Sequence, residues 1–221
     1  SFSASDFYPV FLFFPYVLLR ICEIVFFSFF PLSIIMIFAL PVYFTGHGKA
    51  YSIMKYYLAP MEGLTTYNFR TNWNRYYGGM DKYFTPFISN RHMNSRERND
   101  VLPEHNVGMY TVPQILTNKA EEFLSLAEQL AGYGYHEVNL NLGCPSGTVV
   151  ARNRGAGFLG TPRELETFLD EIFEKCPLEI SIKTRIGMEY LDEWAPLLKI
   201  YQKFPMKELI IHPRLQKEGY Q

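Results

Sequence analysis

From Tyr56 onward, short apolar runs alternate with stretches of helical periodicity, and this alternation limits the possible folds more than any other feature of the 221-residue chain. The strand candidates are 57–62, 83–88, 108–115, 137–142, 179–184 and 208–212. Their starts lie roughly 25 to 40 residues apart, room for one strand, one loop and one helix per unit. Between them, Leu165, Phe168, Leu169, Ile172 and Phe173 form one apolar helix face, entered through Thr161-Pro162-Arg163-Glu164 and closed at Cys176-Pro177. That entry reads as a capping box with proline at the first helical position. A second face, Phe123, Leu124, Ala127, Leu130 and Ala131, stops at Gly132 and Gly134. Pro196 weakens the next helix unless it falls in the first turn.

Strict βα alternation gives a parallel sheet covered by helices. It closes either as an open doubly wound sheet or as a (β/α)8 TIM barrel. No G-x-G-x-x-G follows the first strand, so a dinucleotide-binding open sheet is not supported. The special residues gather at strand C-terminal ends: Pro60, Met61 and Glu62; Gln114; Asn141 with Cys144; Lys183 with Arg185; His212 with Arg214. Five strands sending polar chemistry to one end is how a barrel builds an active site. Six strands are countable, so the expected fold is α/β: a TIM barrel truncated after about six strands.

The first 53 residues are different. They hold 11 of the 19 phenylalanines and only four charges, Asp6, Arg20, Glu23 and Lys49. Residues 24–44 carry no charge, and ~20 apolar residues suffice to cross a bilayer as a helix. Pro31 and Pro41 interrupt that run, and no charged n-region or A-x-A site marks a signal peptide. The expected organisation is a hydrophobic extension over 1–53 and a partial barrel over 54–221. Met54 reads as the natural start of a cytoplasmic protein. The alternative is a real transmembrane anchor at 24–44 and a membrane-associated protein.

The net charge is −1, so no global positive excess holds a nucleic acid; a local patch must do so. Two patches are available: Arg91, Arg96 and Arg98 after the second strand, and Arg152 with Arg154 after the fourth. From charge alone, solvated loop charge is the better explanation, since Glu97, Asp100 and Glu104 dilute the first. Three cysteines rule out a fully paired disulfide scaffold, and Cys22, Cys144 and Cys176 lack metal-ligand spacing. Cys144 is the exceptional one. It is presented in a tight turn, Asn141-Leu142-Gly143-Cys144-Pro145, ahead of the glycine-rich Arg154-Gly155-Ala156-Gly157. A thiol placed there can act as proton donor or nucleophile. Cys176 reads as structural.

Five short motifs in register resemble the tRNA-dihydrouridine synthase family across nearly all of residues 55–221. They are Ala59-Pro60-Met61-Glu62-Gly63, Pro113-Gln114, Asn141-x-Gly-Cys-Pro, Lys183-x-Arg185 and Ile211-His212-Pro213-Arg214. The resemblance implies an FMN-bound barrel that reduces uridines of tRNA to 5,6-dihydrouridine, with NADPH as reductant. It implies that Cys144 protonates C5 of uracil while FMN gives hydride to C6. Pro60, Met61, Glu62, Gln114, Lys183 and His212 match cofactor contacts. Asn141, and more weakly Arg185, match the substrate side, and no metal is implied. The family's last two strands carry the flavin phosphate site, and a helical domain beyond them grips tRNA. Neither is present here, so the 221-residue chain made alone is expected to bind FMN poorly and to be marginally stable, with an open sheet edge. Two other readings compete: an FMN barrel acting on a free pyrimidine, as in the dihydroorotate dehydrogenase group, and an inactive membrane-anchored fragment.

Overall fold

A computed structural model describes residues 19–20, 22–26, 35–39 and 55–219. All six expected strands are present: β4 (Lys55–Leu58), β5 (Lys82–Ile88), β6 (Thr111–Ile115), β7 (Glu137–Leu142), β8 (Glu179–Arg185) and β9 (Glu208–His212). They pair in parallel and in chain order, so each βα unit adds one strand to the same growing edge. The sheet curls into a half-barrel, as the truncated TIM barrel requires. The helices among the described residues are α1 (Tyr67–Tyr76), α2 (Ser95–Val101), α3 (Ala120–Gly132), α4 (Gly147–Val150), α5 (Pro162–Lys175) and α6 (Trp194–Tyr201), and α3, α5 and α6 cover its convex face. Pro196 falls in the first turn of α6, where its missing N–H costs nothing.

Residue parity divides the sheet. Val138, Leu140, Leu142, Ile180, Ile182, Leu209 and Ile211 face the helices and build the main core with Phe123, Leu165, Leu169 and Ile172. The opposite parity turns inward. There Tyr57, Ala59, Phe84, Val112 and Ile210 form a second, smaller apolar cluster. The α3 face is rotated slightly from expectation: Leu126 is buried, while Leu124 is at the margin.

Both edges of the six-strand unit are covered. The unpaired backbone groups of β9 take β1 (Leu19–Arg20) in parallel, and β4 takes β3 (Ile35–Ala39) antiparallel, with β2 (Cys22–Phe26) beyond it. Rows of unmatched N–H and C=O groups recruit apolar extended chain in this way. The expected membrane segment 24–44 lies partly outside the described residues; 24–26 and 35–39 within it are strand. Among the described residues no helix is long and apolar enough to cross a membrane.

Two local expectations need correction. Thr161 does not cap α5 with its side chain. Its hydroxyl donates to the Phe158 carbonyl and accepts from Asn153 Nδ2, so it ties the preceding 3-10 turn instead. The arginine-bearing segment after β5 is also not all loop, because α2 (Ser95–Val101) occupies it. Asn94 and Glu97 form a reciprocal capping box there, with Asn94 Oδ1 accepting from the N–H groups of Arg96 and Glu97.

Candidate active site

The inward residues of β4–β9 change character along the strands. At the N-terminal end they are ionic. Lys82 Nζ lies 3.0 Å from Glu137 Oε1 and 2.9 Å from Glu208 Oε2, and Tyr57 donates to Glu208 at 3.0 Å. At the C-terminal end they are the residues singled out from sequence: Gln114, Asn141, Lys183 and His212. Parallel register sets them side by side, with Asn141 opposite Lys183 and Arg185 opposite His212.

Local sequence places Gln114. Pro86 has no N–H to offer the β5–β6 ladder, and the register shifts between Phe84 and Phe87. The Gln114 N–H is satisfied by Thr85 Oγ1 instead, at 3.1 Å. The Gln114 side chain is then buried among amides: Nε2 donates to Asn139 Oδ1 at 2.8 Å, and Oε1 accepts from Asn141 Nδ2 at 2.8 Å.

Asn141 shapes the thiol loop. Its Oδ1 accepts the N–H groups of both Gly143 (3.0 Å) and Cys144 (2.9 Å), an Asx turn that swings the chain off β7. Gly155 packs on the other side of Cys144. A Cβ there would stand 2.8 Å from the Cys144 carbonyl oxygen and 3.0 Å from Cys144 Cβ, and its φ is +56°. Only glycine fits that approach. Ala156 N–H closes the contact onto the Cys144 carbonyl at 3.0 Å.

Arg185 is fully buried, and its guanidinium is a brace. Nε donates to the Gly143 carbonyl (3.0 Å), Nη1 to Leu215 (2.7 Å) and Nη2 to Gly219 (2.8 Å). It thus joins the thiol loop to the loop after β9. Met61 sits in a tight turn, its N–H on Thr65 Oγ1 and its carbonyl receiving Leu64 and Thr65. Pro60 and Met61 are half-buried beside the mouth, while Glu62 is exposed and pairs with Arg96 at 2.7 Å.

The electrostatics separate the roles. Burial pushes the Cys144 thiol above its ordinary value of 9.0, outweighing the Ser146 N–H and the Arg185 and Lys183 charges that would lower it. The thiol is therefore protonated at neutral pH, an acid rather than a thiolate. Burial, with Lys183, Arg185 and Arg214 nearby, depresses His212 from 6.5 to about 3, so its imidazole is neutral.

That depression has a measurable consequence. Between pH 6.5 and about 3 the unfolded chain takes a proton on His212 that the folded chain refuses. Stability is complete above 6.5 and falls as pH drops, by at most about 1.4 kcal/mol per pH unit from this group. Urea unfolding across that window should show the slope in the wild type and lose this share of it in His212→Asn. Identical slopes in the two proteins rule the assignment out.

The basic patches are largely spoken for. Arg91 pairs with Glu121 at 2.8 Å, and Arg154 bridges Glu122 (3.1 Å) and the Ser89 carbonyl (3.3 Å). Arg98 and Arg152 are exposed and have no ion-pair partner among the described residues. Sequence reasoning overlooked Asn139 and Ser181, both fully buried beneath the site, and the ionic layer at the far end of the strands. Inward parity on adjacent strands was the signal that could have found them.

Comparison with known proteins places the chain among relatives. A family model described as dihydrouridine synthase matches residues 57–221. "Probable tRNA-dihydrouridine synthase" of Staphylococcus aureus is 33% identical over 107 residues, covering 48% of this chain and 32% of that protein. The protein of the same name from Staphylococcus epidermidis gives the same identity and coverage. "Probable tRNA-dihydrouridine synthase 2" of Bacillus subtilis is 28% identical over 169 residues, covering 73% of this chain and 50% of that protein. The chain spans a third to a half of the length of these relatives.

Proposed function

The chain belongs to the dihydrouridine synthase family, and from that premise we propose that it supplies the catalytic end of a barrel that reduces uridine to 5,6-dihydrouridine in tRNA, with FMN as cofactor and NADPH as reductant. The observation that carries the reading is the Asn141-held loop that presents a protonated Cys144 above Gln114, Lys183 and His212. The residues fit a flavin ring. Asn141 Oδ1 already accepts two N–H groups and Gln114 Oε1 accepts one, so these amides chiefly offer donors. Donors, with the Lys183 ammonium at the same level, suit the carbonyl oxygens and N1 of an isoalloxazine. Bound FMN, once reduced by NADPH, supplies the hydride for C6 of uracil.

The protein's own task is the other half of the reduction. Cys144 gives a proton to C5, and its raised pKa keeps that proton available at neutral pH. Lys183 offers positive charge where the reduced ring gathers negative charge. Neutral His212 serves as a hydrogen-bonding cofactor contact. Pro60, Met61 and Glu62 border the same mouth. Arg185 acts as a positioning residue for the thiol loop, donating to the backbone carbonyls of Gly143, Leu215 and Gly219. A uridine reaches the thiol only when turned out of its stack. Arg98 and Arg152 are the exposed cations suited to holding the RNA backbone meanwhile.

The test supplies the full chain with FMN, NADPH and unmodified tRNA transcript, and follows the gain of two hydrogens per uridine by mass spectrometry. Dihydrouridine in tRNA, with no turnover of free uracil or dihydroorotate, is the expected result. Turnover of the free pyrimidine alone assigns the barrel to a different substrate.

A further inference from the structure

A single chain of hydrogen bonds runs beneath the site from β8 to the thiol loop. Ser181 Oγ accepts from Asn139 Nδ2 at 2.9 Å, and Asn139 Oδ1 accepts from Gln114 Nε2 at 2.8 Å. Gln114 Oε1 accepts from Asn141 Nδ2 at 2.8 Å. Asn141 Oδ1 ends the chain on the N–H groups of Gly143 and Cys144. Ser181, Asn139 and Gln114 are at most 1% exposed, so water does not stand in for a missing partner.

The direction of this chain is dictated at the Cys144 end. Two backbone N–H groups can only donate, so Asn141 must show them oxygen and turn its NH2 toward Gln114. Gln114 must then turn oxygen to Asn141 and nitrogen to Asn139, and Asn139 must turn nitrogen to Ser181. Only an acceptor closes the series, and the Ser181 hydroxyl is one; its own proton is shared between the Val138 carbonyl at 3.4 Å and the Glu137 carboxylate, not spent on Asn139. A flip of any amide sets donor against donor at the next link. The series therefore has one satisfied arrangement, and it includes the Cys144 turn.

We propose that Asn139 and Ser181 are positioning residues for Cys144, holding the thiol loop through the Gln114–Asn141 amides from three and four hydrogen bonds away. The functional consequence rests on the role given to Cys144 above; the positioning itself does not. Without the Ser181 oxygen, the buried Asn139 NH2 loses its acceptor. The strain is relieved either by an orphaned donor or by a collective flip that places the Asn141 NH2 against the Gly143 and Cys144 N–H groups. Both outcomes loosen the loop and hydrate a thiol whose acidity burial now suppresses.

The test reads the loop without flavin, NADPH or tRNA. In the full chain, iodoacetamide labelling is followed peptide by peptide across pH, with Cys176 as the internal reference. Cys176 is half-buried at the end of α5 and takes no part in the amide chain. In Ser181→Ala, Cys144 should label roughly three- to tenfold faster at neutral pH, the scale of one hydrogen bond, with its midpoint moved down toward an ordinary thiol. Cys176 should be unchanged. Asn139→Leu, which cuts the chain one link closer, should do the same, and Ser181→Thr, which keeps the hydroxyl, should restore the wild-type profile. The proposal is overturned if Cys144 is unmoved in both cutting variants, if Cys176 accelerates with it, or if Ser181→Thr behaves like alanine. An enzyme inactive on tRNA that still shows the labelling pattern would remove the functional reading and leave the positioning intact.

Discussion

Cys144→Ala is expected to lower dihydrouridine formation by about 10²–10⁴-fold, the range spanned by a lost general acid, while tRNA affinity and the rate of flavin reduction by NADPH stay within a few-fold. The argument is one of protonation state. In the proposed reduction, hydride delivered to C6 would leave negative charge over C5 and the C4 carbonyl, and that charge would be quenched by a proton delivered to carbon. Burial holds the Cys144 thiol above 9.0, so it carries the proton through the neutral range, and the Asx turn at Asn141 fixes its backbone. Alanine removes the proton and leaves the turn. Serine should do little better, because a hydroxyl is a far weaker acid than a thiol. In the wild type, activity should be flat through neutral pH and fall on the alkaline side, as the thiol ionises and has no proton left to give. Single-turnover measurement of dihydrouridine in tRNA checks both statements. An alanine variant within threefold of wild type, or a rate that rises as the thiol ionises, would sink the acid role.

The contrast between Cys144 and Lys82 shows what the sequence made legible. Strands β7 and β9 fall where alternation and length put them, and the residues at their C-terminal ends meet at one mouth because a parallel barrel leaves them no other place. Local chemistry was readable too: Asn141-x-Gly-Cys spells a turn. The Asn94–Glu97 capping box of α2 is equally local. What stayed hidden depends on partners distant in the chain or on backbone atoms. Arg185 binds three carbonyls, groups that every residue owns and no sequence pattern marks. Lys82, Glu137 and Glu208 each open a strand and look like ordinary solvated ends. Their side chains share inward parity, and curling the sheet brings them together across 55 and 126 residues of chain.

That ionic layer makes Lys82→Met the substitution with the largest expected cost in stability, about 3–5 kcal/mol, the scale for leaving a buried charge without its partner. Glu137 and Glu208 are both nearly inaccessible to water, and the one ammonium lies within 3.0 Å of each. The rings of Tyr57, Phe84 and Tyr110 surround it at 5.1, 5.7 and 5.5 Å, so methionine fills the space but brings no charge. Lys207, 3.3 Å from Glu137, is partly exposed and also pairs with Glu179. The pH dependence identifies the cause. Burial alone would raise the Glu137 pKa, yet Lys82 and the hydrogen bonds of Ser181 and Tyr110 hold it below 4.5. A carboxylate depressed in the folded state stabilises above its unfolded value and loses that contribution as pH falls through the folded one. The wild type should therefore give up this share of its stability below pH 4.5. Lys82→Met, which removes the Lys82 charge and hydrogen bond and leaves those of Ser181 and Tyr110, should have less of it left to lose. The gap between the two proteins in urea unfolding is then widest near neutral pH and narrows on acidification. A gap that is constant with pH would assign the loss to packing around the methionine instead of to stranded charge. Lys82→Met combined with Glu137→Gln and Glu208→Gln, which removes the charges together, should recover much of the stability that Lys82→Met alone gives away.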